Sequence, residues 1–260
     1  MSHHLDLKRI AEEIEKDGFS IAEKIVTEEE VKELREQLKI ALSEDVKEYG
    51  HLPGKKDNLI VDLTTRGSAF VKLLENEKMQ RVFSHFLDDD CILYSYTSSI
   101  LKPDDTPSAS NIHTDSKRFP YVPGYHFGLL MNLALDDFTE ENGATYHLPG
   151  SHKIKEMPSE EEFYEKSVRA VRKAGDAIFF HPLNWHAGGI NKTNKTRSAI
   201  TPYACRAFTK QRLDFPRMVT PEVSSWLGER GRVFLGFNSR VPTNLFEYYL
   251  PQEERLYKIK

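Results

Sequence analysis

The stretch Asn111-Ile112-His113-Thr114-Asp115 places an imidazole and a carboxylate two positions apart. On an extended strand, residues i and i+2 point to the same face, so His113 and Asp115 can reach one point in space. Two histidines and one carboxylate form the facial arrangement that holds non-haem Fe(II) and leaves the opposite side of the metal open. The stretch therefore predicts two of the three protein ligands of such a centre.

The third ligand has to come from another part of the chain. His186, in the stretch Asn184-Trp185-His186-Ala187-Gly188-Gly189, is the candidate that we favour, and His181 is its competitor. Eleven residues beyond His186 stands Arg197. Its guanidinium is permanently charged and can hold a carboxylate by two parallel hydrogen bonds, which makes it a candidate for binding an acidic ligand near the metal.

The segment between these positions carries a resemblance to a known family. It reads Leu135-Asp136-Asp137-Phe138-Thr139-Glu140-Glu141-Asn142-Gly143-Ala144-Thr145 and runs on to Leu148-Pro149-Gly150-Ser151-His152-Lys153. Together with the His-x-Asp before it, and the distal His, Asn191 and Arg197 after it, this resembles the phytanoyl-CoA dioxygenase family, from about Gly18 to Tyr249. Members are Fe(II)- and 2-oxoglutarate-dependent oxygenases. The resemblance favours His186 over His181, because the family places Gly and Asn after its distal histidine and then Arg at this interval.

The resemblance implies a site and a reaction. Fe(II) would be bound by His113, Asp115 and His186, while 2-oxoglutarate and dioxygen would take the remaining positions. Arg197 would bind the far carboxylate of 2-oxoglutarate, and Thr145 and Asn111 match positions that supply neutral hydrogen bonds to it in related enzymes. The expected reaction is hydroxylation of an unactivated C–H bond of a small metabolite, with release of succinate and carbon dioxide. Relatives that halogenate lack the carboxylate ligand, so Asp115 disfavours halogenation.

The substrate pocket is predicted less directly. Tyr94, Tyr96 and Ser98 alternate along a predicted strand over residues 91–101 and are expected to share one face. In the resembling enzymes this strand borders the pocket, so Tyr96 and Ser98 are candidate pocket residues, although strand tyrosines commonly serve sheet packing. Further candidates are Lys117 and His126, for which a solvated surface charge and a structural hydrogen bond, respectively, are the alternatives.

Nearby lysines and a loop extend this hypothesis. Lys55, Lys56 and Arg118 could favour an anionic substrate group, or could be ordinary surface charges. The loop over residues 48–58 could be a lid over the pocket, although loops collect such residues without that role.

The pattern along the chain predicts an all-β core with flanking helices. Many short strand candidates separated by Gly, Pro, Asn and Asp turns are typical of a double-stranded β-helix, the cupin-like jelly roll. We expect one domain over residues 1–260: a mainly helical buttress over 1–90, the jelly roll over 91–210, and a segment over 211–260 that either covers the barrel mouth or packs outside. Helices are predicted over 5–17, from an N-cap at Thr27 to about Ser43, and over 62–74.

Composition excludes several classes of function. The net charge of −4 argues against a nucleic-acid partner, which favours a basic face. No apolar run approaches the roughly 18 residues that cross a bilayer. With two cysteines, Cys91 and Cys205, and no signal-like N-terminus, a disulfide framework is not indicated and a cytoplasmic location is expected.

Three alternative functions remain open. One keeps the cofactors but gives desaturation, cyclisation or epimerisation, and another is a jelly-roll sensor without turnover. The last is a cupin-type metalloenzyme without 2-oxoglutarate, against which Arg197 argues.

Overall fold

Two antiparallel sheets and a layer of helices make up the part of the chain that the computed structural model describes, residues 5–104, 110–116 and 119–254. The strands are β1 (Phe19–Ala22), β2 (Ile92–Leu101), β3 (Gly128–Ala134), β4 (Tyr146–His147), β5 (Val168–Arg169), β6 (Ala177–Phe180), β7 (His186–Ala187) and β8 (Arg197–Cys205). The helices are α1 (Leu7–Asp17), α2 (Glu28–Tyr49), α3 (Ser68–Leu74), α4 (Glu77–Leu87), α5 (Glu160–Lys166), α6 (Phe215–Met218), α7 (Pro221–Trp226), α8 (Glu229–Phe234) and α9 (Leu245–Tyr248).

The larger sheet has the strand order β1-β6-β3-β8-β2, and the smaller has the order β5-β4-β7. Neighbours in the larger sheet are not consecutive strands of the sequence, since β3 pairs with both β6 and β8. The strand β1 also joins this sheet by pairing with β6, so the mainly helical N-terminal segment contributes one strand. The predicted β core with flanking helices is thus confirmed, and its sheets are antiparallel.

Alternation along the central strands gives the larger sheet two different faces. Leu129, Met131 and Leu133 of β3 pack into the main core with residues of α1 to α4. Leu130, between them, belongs instead to a smaller cluster with Ile178, Phe180 and Tyr203. Because side chains alternate across a strand, the first face carries the helices and the second faces the smaller sheet. Leu130, Ile178, Phe180 and Tyr203 of this second face line the cavity described below.

Local signals placed several elements correctly. Gly18 ends α1 with a left-handed φ of 88°, a conformation that glycine adopts without steric penalty. Thr27 caps α2, and its hydroxyl and the Glu30 carboxylate form the reciprocal capping box. These features confirm the predicted starts and ends, because capping depends on residues adjacent in sequence.

Two predicted helix ends are wrong, and tertiary contacts explain both. The helix α2 continues past Ser43 to Tyr49, with Asp45 of its added turns buried against Lys55 (2.6 Å) and Arg66 (3.5 Å). The predicted helix over 62–74 begins only at Ser68, because the Asp62 carboxylate accepts hydrogen bonds from the backbone and hydroxyl of Thr64. Neither set of partners is visible from helical periodicity.

The described C-terminal residues pack mainly on the helix face. Phe215, Phe234 and Phe237 join the main core, and Glu75 accepts hydrogen bonds from Gly228 and Gly231 at the start of α8. Arg212, near the start of the same segment, lines the cavity described below. Within the described residues, no helix combines the length and apolar character needed to span a membrane.

Candidate metal centre

Three side chains from distant parts of the sequence converge at the edge of the smaller sheet. His186 lies in β7 and pairs in register with His147 of β4. On its other side, an isolated antiparallel bridge joins His186 to His113. Asp115 follows His113 by two residues, just beyond this bridge. The backbone pairing therefore holds His113 beside His186, with rings 4.2 Å apart between centroids.

The donor atoms of these residues lie at metal-binding separations. One ligand atom each from His113, Asp115 and His186 lie within 4.8 Å of one another. The two carboxylate oxygens of Asp115 are 3.8 Å from His113 Nε2 and 3.5 Å from His186 Nε2. Such a group of two imidazoles and one carboxylate is the ligand set typical of facial non-haem iron sites.

Backbone carbonyls fix the tautomers of both histidines. His113 Nδ1 lies 2.8 Å from the Asn111 carbonyl, and His186 Nδ1 lies 2.9 Å from the Asn184 carbonyl. A carbonyl can only accept, so each Nδ1 carries the proton and each Nε2 presents a lone pair. Burial lowers the pKa of His186 against the opposing effect of Asp115, which keeps its imidazole neutral. Electron-rich atoms thus converge on one point without a proton between them, which suits a cation.

The triad opens onto a cavity of about 410 Å³ between the two sheets. Arg197, at the start of β8, lines the same cavity and is 7 % exposed. Its Nε and Nη1 atoms are buried without a hydrogen-bond partner. Burial lowers the pKa of Arg197 to about 10, so its guanidinium is still charged at neutral pH. An unpaired buried cation facing a cavity calls for an anionic ligand.

Of the two other predicted cosubstrate residues, one lines the cavity and the other does not. Thr145 lines the cavity, immediately before β4. Asn111 is exposed and is not among the lining residues; its backbone carbonyl instead orients His113. The competing histidine, His181, is absent from the triad, and its Nδ1 accepts a hydrogen bond from the Leu183 backbone.

Two predicted pocket residues lie elsewhere. Tyr96 is fully buried on the helix face, where its hydroxyl donates to the Phe70 carbonyl. His126 is buried against Glu15, with 2.6 Å between His126 Nε2 and a Glu15 oxygen, and does not line the cavity. His126 therefore makes a structural hydrogen bond, which is the alternative to a role in the pocket.

A register shift explains the error on the strand β2. The pairing of β2 with β8 slips between Leu93 and Ser95. Tyr94 therefore packs on the cavity side against Tyr203, while Tyr96 points the opposite way, so the two tyrosines do not share a face. Ser98 borders the cavity, but its buried hydroxyl accepts from the Ile60 backbone.

The structure places one of the predicted basic residues, and the end of the predicted loop, relative to the cavity. Lys55 is buried in its ion pair with Asp45, which removes it from the substrate pocket. Lys117 and Arg118 lie outside the described residues. The end of the 48–58 loop is held beside β2, since the Ile100 backbone donates to the Asn58 carbonyl. Asn58 itself lines the cavity.

Among the cavity-lining residues that the sequence does not predict are four with polar side chains: Asn132, His147, Tyr203 and Arg212. Asn132 donates to the Thr201 hydroxyl across the cavity wall. In the sequence, these residues are distinguished only as polar residues inside or after predicted strands, which is too common a pattern to predict a pocket. Arg212 was assigned to the C-terminal segment, whose place in the fold was open.

The hydrogen bonds around His147 define its tautomer as well. Its Nδ1 lies 2.9 Å from Asn184 Oδ1, while Asn184 Nδ2 donates to the Leu148 carbonyl and the Ser151 hydroxyl. The Asn184 amide cannot be reversed without facing oxygen to oxygen, so His147 Nδ1 carries the proton. Burial, followed by the neighbouring His186, holds the pKa of His147 well below its usual value. A neutral imidazole with a free Nε2 therefore lines the cavity beside His186.

Comparison with known proteins agrees with this geometry. The sequence profile of phytanoyl-CoA dioxygenase matches residues 14–199. The chain belongs to the phytanoyl-CoA dioxygenase family. It is therefore an enzyme, an oxidoreductase of the 2-oxoglutarate-dependent non-haem iron dioxygenases.

The similar proteins and the similar solved structures are only distantly related to this chain in sequence. An uncharacterized protein of Mycobacterium tuberculosis is 34% identical over 195 residues, which cover 73% of this chain and 70% of that protein. The human peroxisomal phytanoyl-CoA dioxygenase is 24% identical over 72% of this chain and 64% of its own. Among solved structures, the α-ketoglutarate-dependent epimerase SnoN from nogalamycin biosynthesis matches with a TM-score of 0.59 and 20% identity, over 77% of this chain and 81% of SnoN. At that identity, SnoN supports the fold alone.

Proposed function

We propose that this dioxygenase binds Fe(II) through His113, Asp115 and His186 and binds 2-oxoglutarate between that metal and Arg197. It hydroxylates an unactivated C–H bond of a small metabolite and releases succinate and carbon dioxide. The observation that carries the proposal is that the triad and the unpaired guanidinium of Arg197 line one cavity.

The donor set fits the metal. Both histidines present Nε2 lone pairs, because their Nδ1 protons are donated to backbone carbonyls. Asp115 adds a charged oxygen, and its partly exposed carboxylate leaves one side of the site open toward the cavity. Three protein ligands leave room for a chelating cosubstrate and dioxygen.

The opposite wall fits the cosubstrate. A dicarboxylate can chelate the metal at one end and pair with Arg197 at the other, which satisfies the buried guanidinium. Thr145 lines the same cavity and has a hydroxyl that can offer a neutral hydrogen bond. Asn111 is left out of this assignment because its side chain does not line the cavity.

The chain's own residues position the reactants and exclude water. Iron and 2-oxoglutarate supply the oxidising chemistry when bound. Leu130, Ile178 and Phe180 form an apolar wall beside the triad, which keeps that part of the cavity dry. Asn111 and Asn184 hold the imidazoles through their carbonyls, and Arg197 fixes the cosubstrate's far end.

We assign the finer fold to the double-stranded β-helix. Two observations support it: distant strands pair to give two antiparallel sheets, and rings of the two sheets face each other, with Phe180 5.1 Å from His147 and 5.2 Å from His186. The Streptomyces viridochromogenes protein AviO1 gives fold-level support, with a TM-score of 0.61 and 16% identity over 80% of this chain and 99% of AviO1.

Succinate release tests the proposed function. Purified protein with Fe(II), ascorbate and air should form succinate from 2-oxoglutarate, slowly alone and faster with a matching metabolite. Arg197→Gln should raise the KM for 2-oxoglutarate about a hundredfold, since a charge-assisted bidentate pair is lost. Arg206→Gln is the matched control, because Arg206 also stacks on a ring, that of Tyr125, but does not line the cavity. Iron-loaded wild type that never forms succinate would refute the proposal.

The product mass decides the outcome of the reaction. Hydroxylation adds one oxygen atom to the substrate, desaturation or cyclisation removes two hydrogens, and epimerisation leaves the mass unchanged. We expect the gain of oxygen. Loss of two hydrogens or an unchanged mass would be consistent with the same cofactors, but would show desaturation, cyclisation or epimerisation instead of hydroxylation.

A further inference from the structure

Phe138 lies between two arginines, one of which, Arg197, lines the cavity. The Cζ atom of Arg197 stands 4.0 Å from the centroid of the Phe138 ring, and that of Arg172 stands 3.8 Å from it. Two guanidiniums cannot stand at these distances over one face of a ring without overlapping. They therefore lie on opposite faces, and Phe138 separates two positive charges.

The stack is anchored at Arg172. The backbones of Phe138 and Arg172 pair directly, with hydrogen bonds of 2.8 and 3.1 Å. The Arg172 guanidinium donates to the Ala170 carbonyl at 2.8 Å and to the Asn132 side chain. Both Phe138 and Arg172 are buried. These contacts leave the ring and the rear guanidinium little freedom to move.

Arg197 lacks such hydrogen bonds. Its Nε and Nη1 atoms are without partners, so the ring of Phe138 is the contact that sets the plane of its guanidinium. Cation–π contact is strongest when the cation is desolvated, as here. A planar, fixed guanidinium is what bidentate pairing with a carboxylate requires.

Arg172 adds charge without touching the cavity. It is not among the lining residues, yet burial and the charge of Arg197 lower the pKa of Arg172 to about 9, which leaves it protonated at neutral pH. Arg169 also acts on Arg197, whose pKa it lowers. A ligand anion placed at Arg197 would relieve this repulsion between buried cations.

We propose that Phe138 and Arg172 are positioning residues that make the cavity wall at Arg197 selective for a cosubstrate with a second carboxylate. Phe138 orients the Arg197 guanidinium, and Arg172 behind the ring strengthens the field at the far carboxylate. This inference rests on the proposed function, because it takes 2-oxoglutarate as the ligand of Arg197.

A pair of ligands isolates this effect. 2-Oxovalerate has the same chain length as 2-oxoglutarate but carries a methyl group in place of the far carboxylate. Calorimetric titration of each ligand into Mn(II)-loaded protein gives two Kd values, and their ratio reports the contribution of the second carboxylate. Mn(II) replaces Fe(II) so that binding is measured without turnover.

We expect Phe138→Leu to lower the preference for 2-oxoglutarate about tenfold, because the change removes the π face and retains an apolar side chain. Arg172→Gln should lower it severalfold, while Arg172→Lys, which keeps the charge, should stay closer to wild type. Phe215→Leu is the matched control, a buried phenylalanine in the main core away from the arginines. In the succinate assay, Phe138→Leu should raise KM for 2-oxoglutarate more than it lowers kcat.

The outcomes separate the two proposals. If one of the Phe138 and Arg172 variants fails to fold, the folded one decides, since each removes a different half of the stack. If the wild type binds 2-oxoglutarate, and the folded variants have the same ratio of the two Kd values as the wild type, this inference is overturned and the proposed function is not. A wild type that binds Mn(II) but not 2-oxoglutarate would overturn the proposed function and this inference with it.

Discussion

His113 and His186 exchange both of their backbone hydrogen bonds, with N···O distances of 3.0 Å in each direction. The relative position of the two imidazoles is therefore set by a β-bridge and does not depend on the side chains alone. Ligands on a rigid backbone are held near the geometry that a metal needs before the metal arrives. The preformed triad is the basis of the first prediction.

Removal of a triad ligand should release the metal. His186→Ala and Asp115→Ala should each weaken Fe(II) binding by at least about a hundredfold, which exceeds the usual effect of residues that only support the ligands. Metal content after dialysis, measured by mass spectrometry, checks this. His51→Ala, a change at an exposed loop position, should retain the wild-type content. Equal metal content in all four proteins would show that the site lies elsewhere.

The Asn184 side chain should contribute to the stability of the fold through several buried hydrogen bonds. Its amide serves His147, Leu148 and Ser151, all buried. Asn184→Ala leaves the buried His147 Nδ1–H without its acceptor, whereas the Leu148 carbonyl still accepts from the Ser151 hydroxyl, so the unfolding free energy should fall by about 1–3 kcal/mol. Urea denaturation of the metal-free protein measures it, with Asn244→Ala, an exposed helix cap, as the comparison. A smaller loss at Asn184 than at Asn244 would contradict the buried network.

The capping box of α2 should act on stability without acting on the chemistry. Thr27→Ala removes the hydroxyl that accepts from the Glu30 backbone, and we expect a loss of about 1 kcal/mol. Thr27 lies outside the cavity lining, so the KM for 2-oxoglutarate should not change. The same urea series and the succinate assay check the two halves. A changed KM at unaltered stability would be inconsistent with this assignment.

A cluster of buried histidines should make the protein sensitive to acid. Burial lowers the pKa of His181 to about 2 and that of His152 to about 4, with His126 and Lys153 adding to the effect. In the unfolded chain these groups titrate near about 6.5, so protons bind preferentially to the unfolded state below that pH. Stability should therefore fall as pH drops from about 6.5 toward 4, by up to about 1.4 kcal/mol per pH unit for each group.

His181→Asn tests the source of this loss. Asparagine can still accept the Leu183 backbone hydrogen bond that His181 Nδ1 accepts, but it does not titrate. The variant should lose less unfolding free energy between pH 6.5 and 5 than wild type does, as measured by urea denaturation at each pH. His51→Asn, in an exposed loop, serves as control. Parallel pH profiles for the wild type and both variants would argue against the cluster.

The sequence was informative where spacing alone determines geometry. His113 and Asp115, two residues apart, reach one point as their spacing predicts, and Gly18 and Thr27 mark helix ends through local chemistry. It was uninformative where a partner comes from elsewhere in the fold. The slip in the β2–β8 register sent Tyr96 away from the cavity, and Glu15 of α1 drew His126 into a structural pair. The stacking of Phe138 between two arginines depends on three separate segments, which no local pattern encodes.

The most direct test of the account is anaerobic visible spectroscopy of the protein with Fe(II) and 2-oxoglutarate. Chelation of Fe(II) by the 2-oxo acid produces a metal-to-ligand charge-transfer band. We predict that band for the wild type, its absence in His186→Ala, and a roughly hundredfold higher 2-oxoglutarate concentration for half-saturation in Arg197→Gln. Wild-type protein that retains iron but develops no band at saturating 2-oxoglutarate would contradict the joint site between the triad and Arg197.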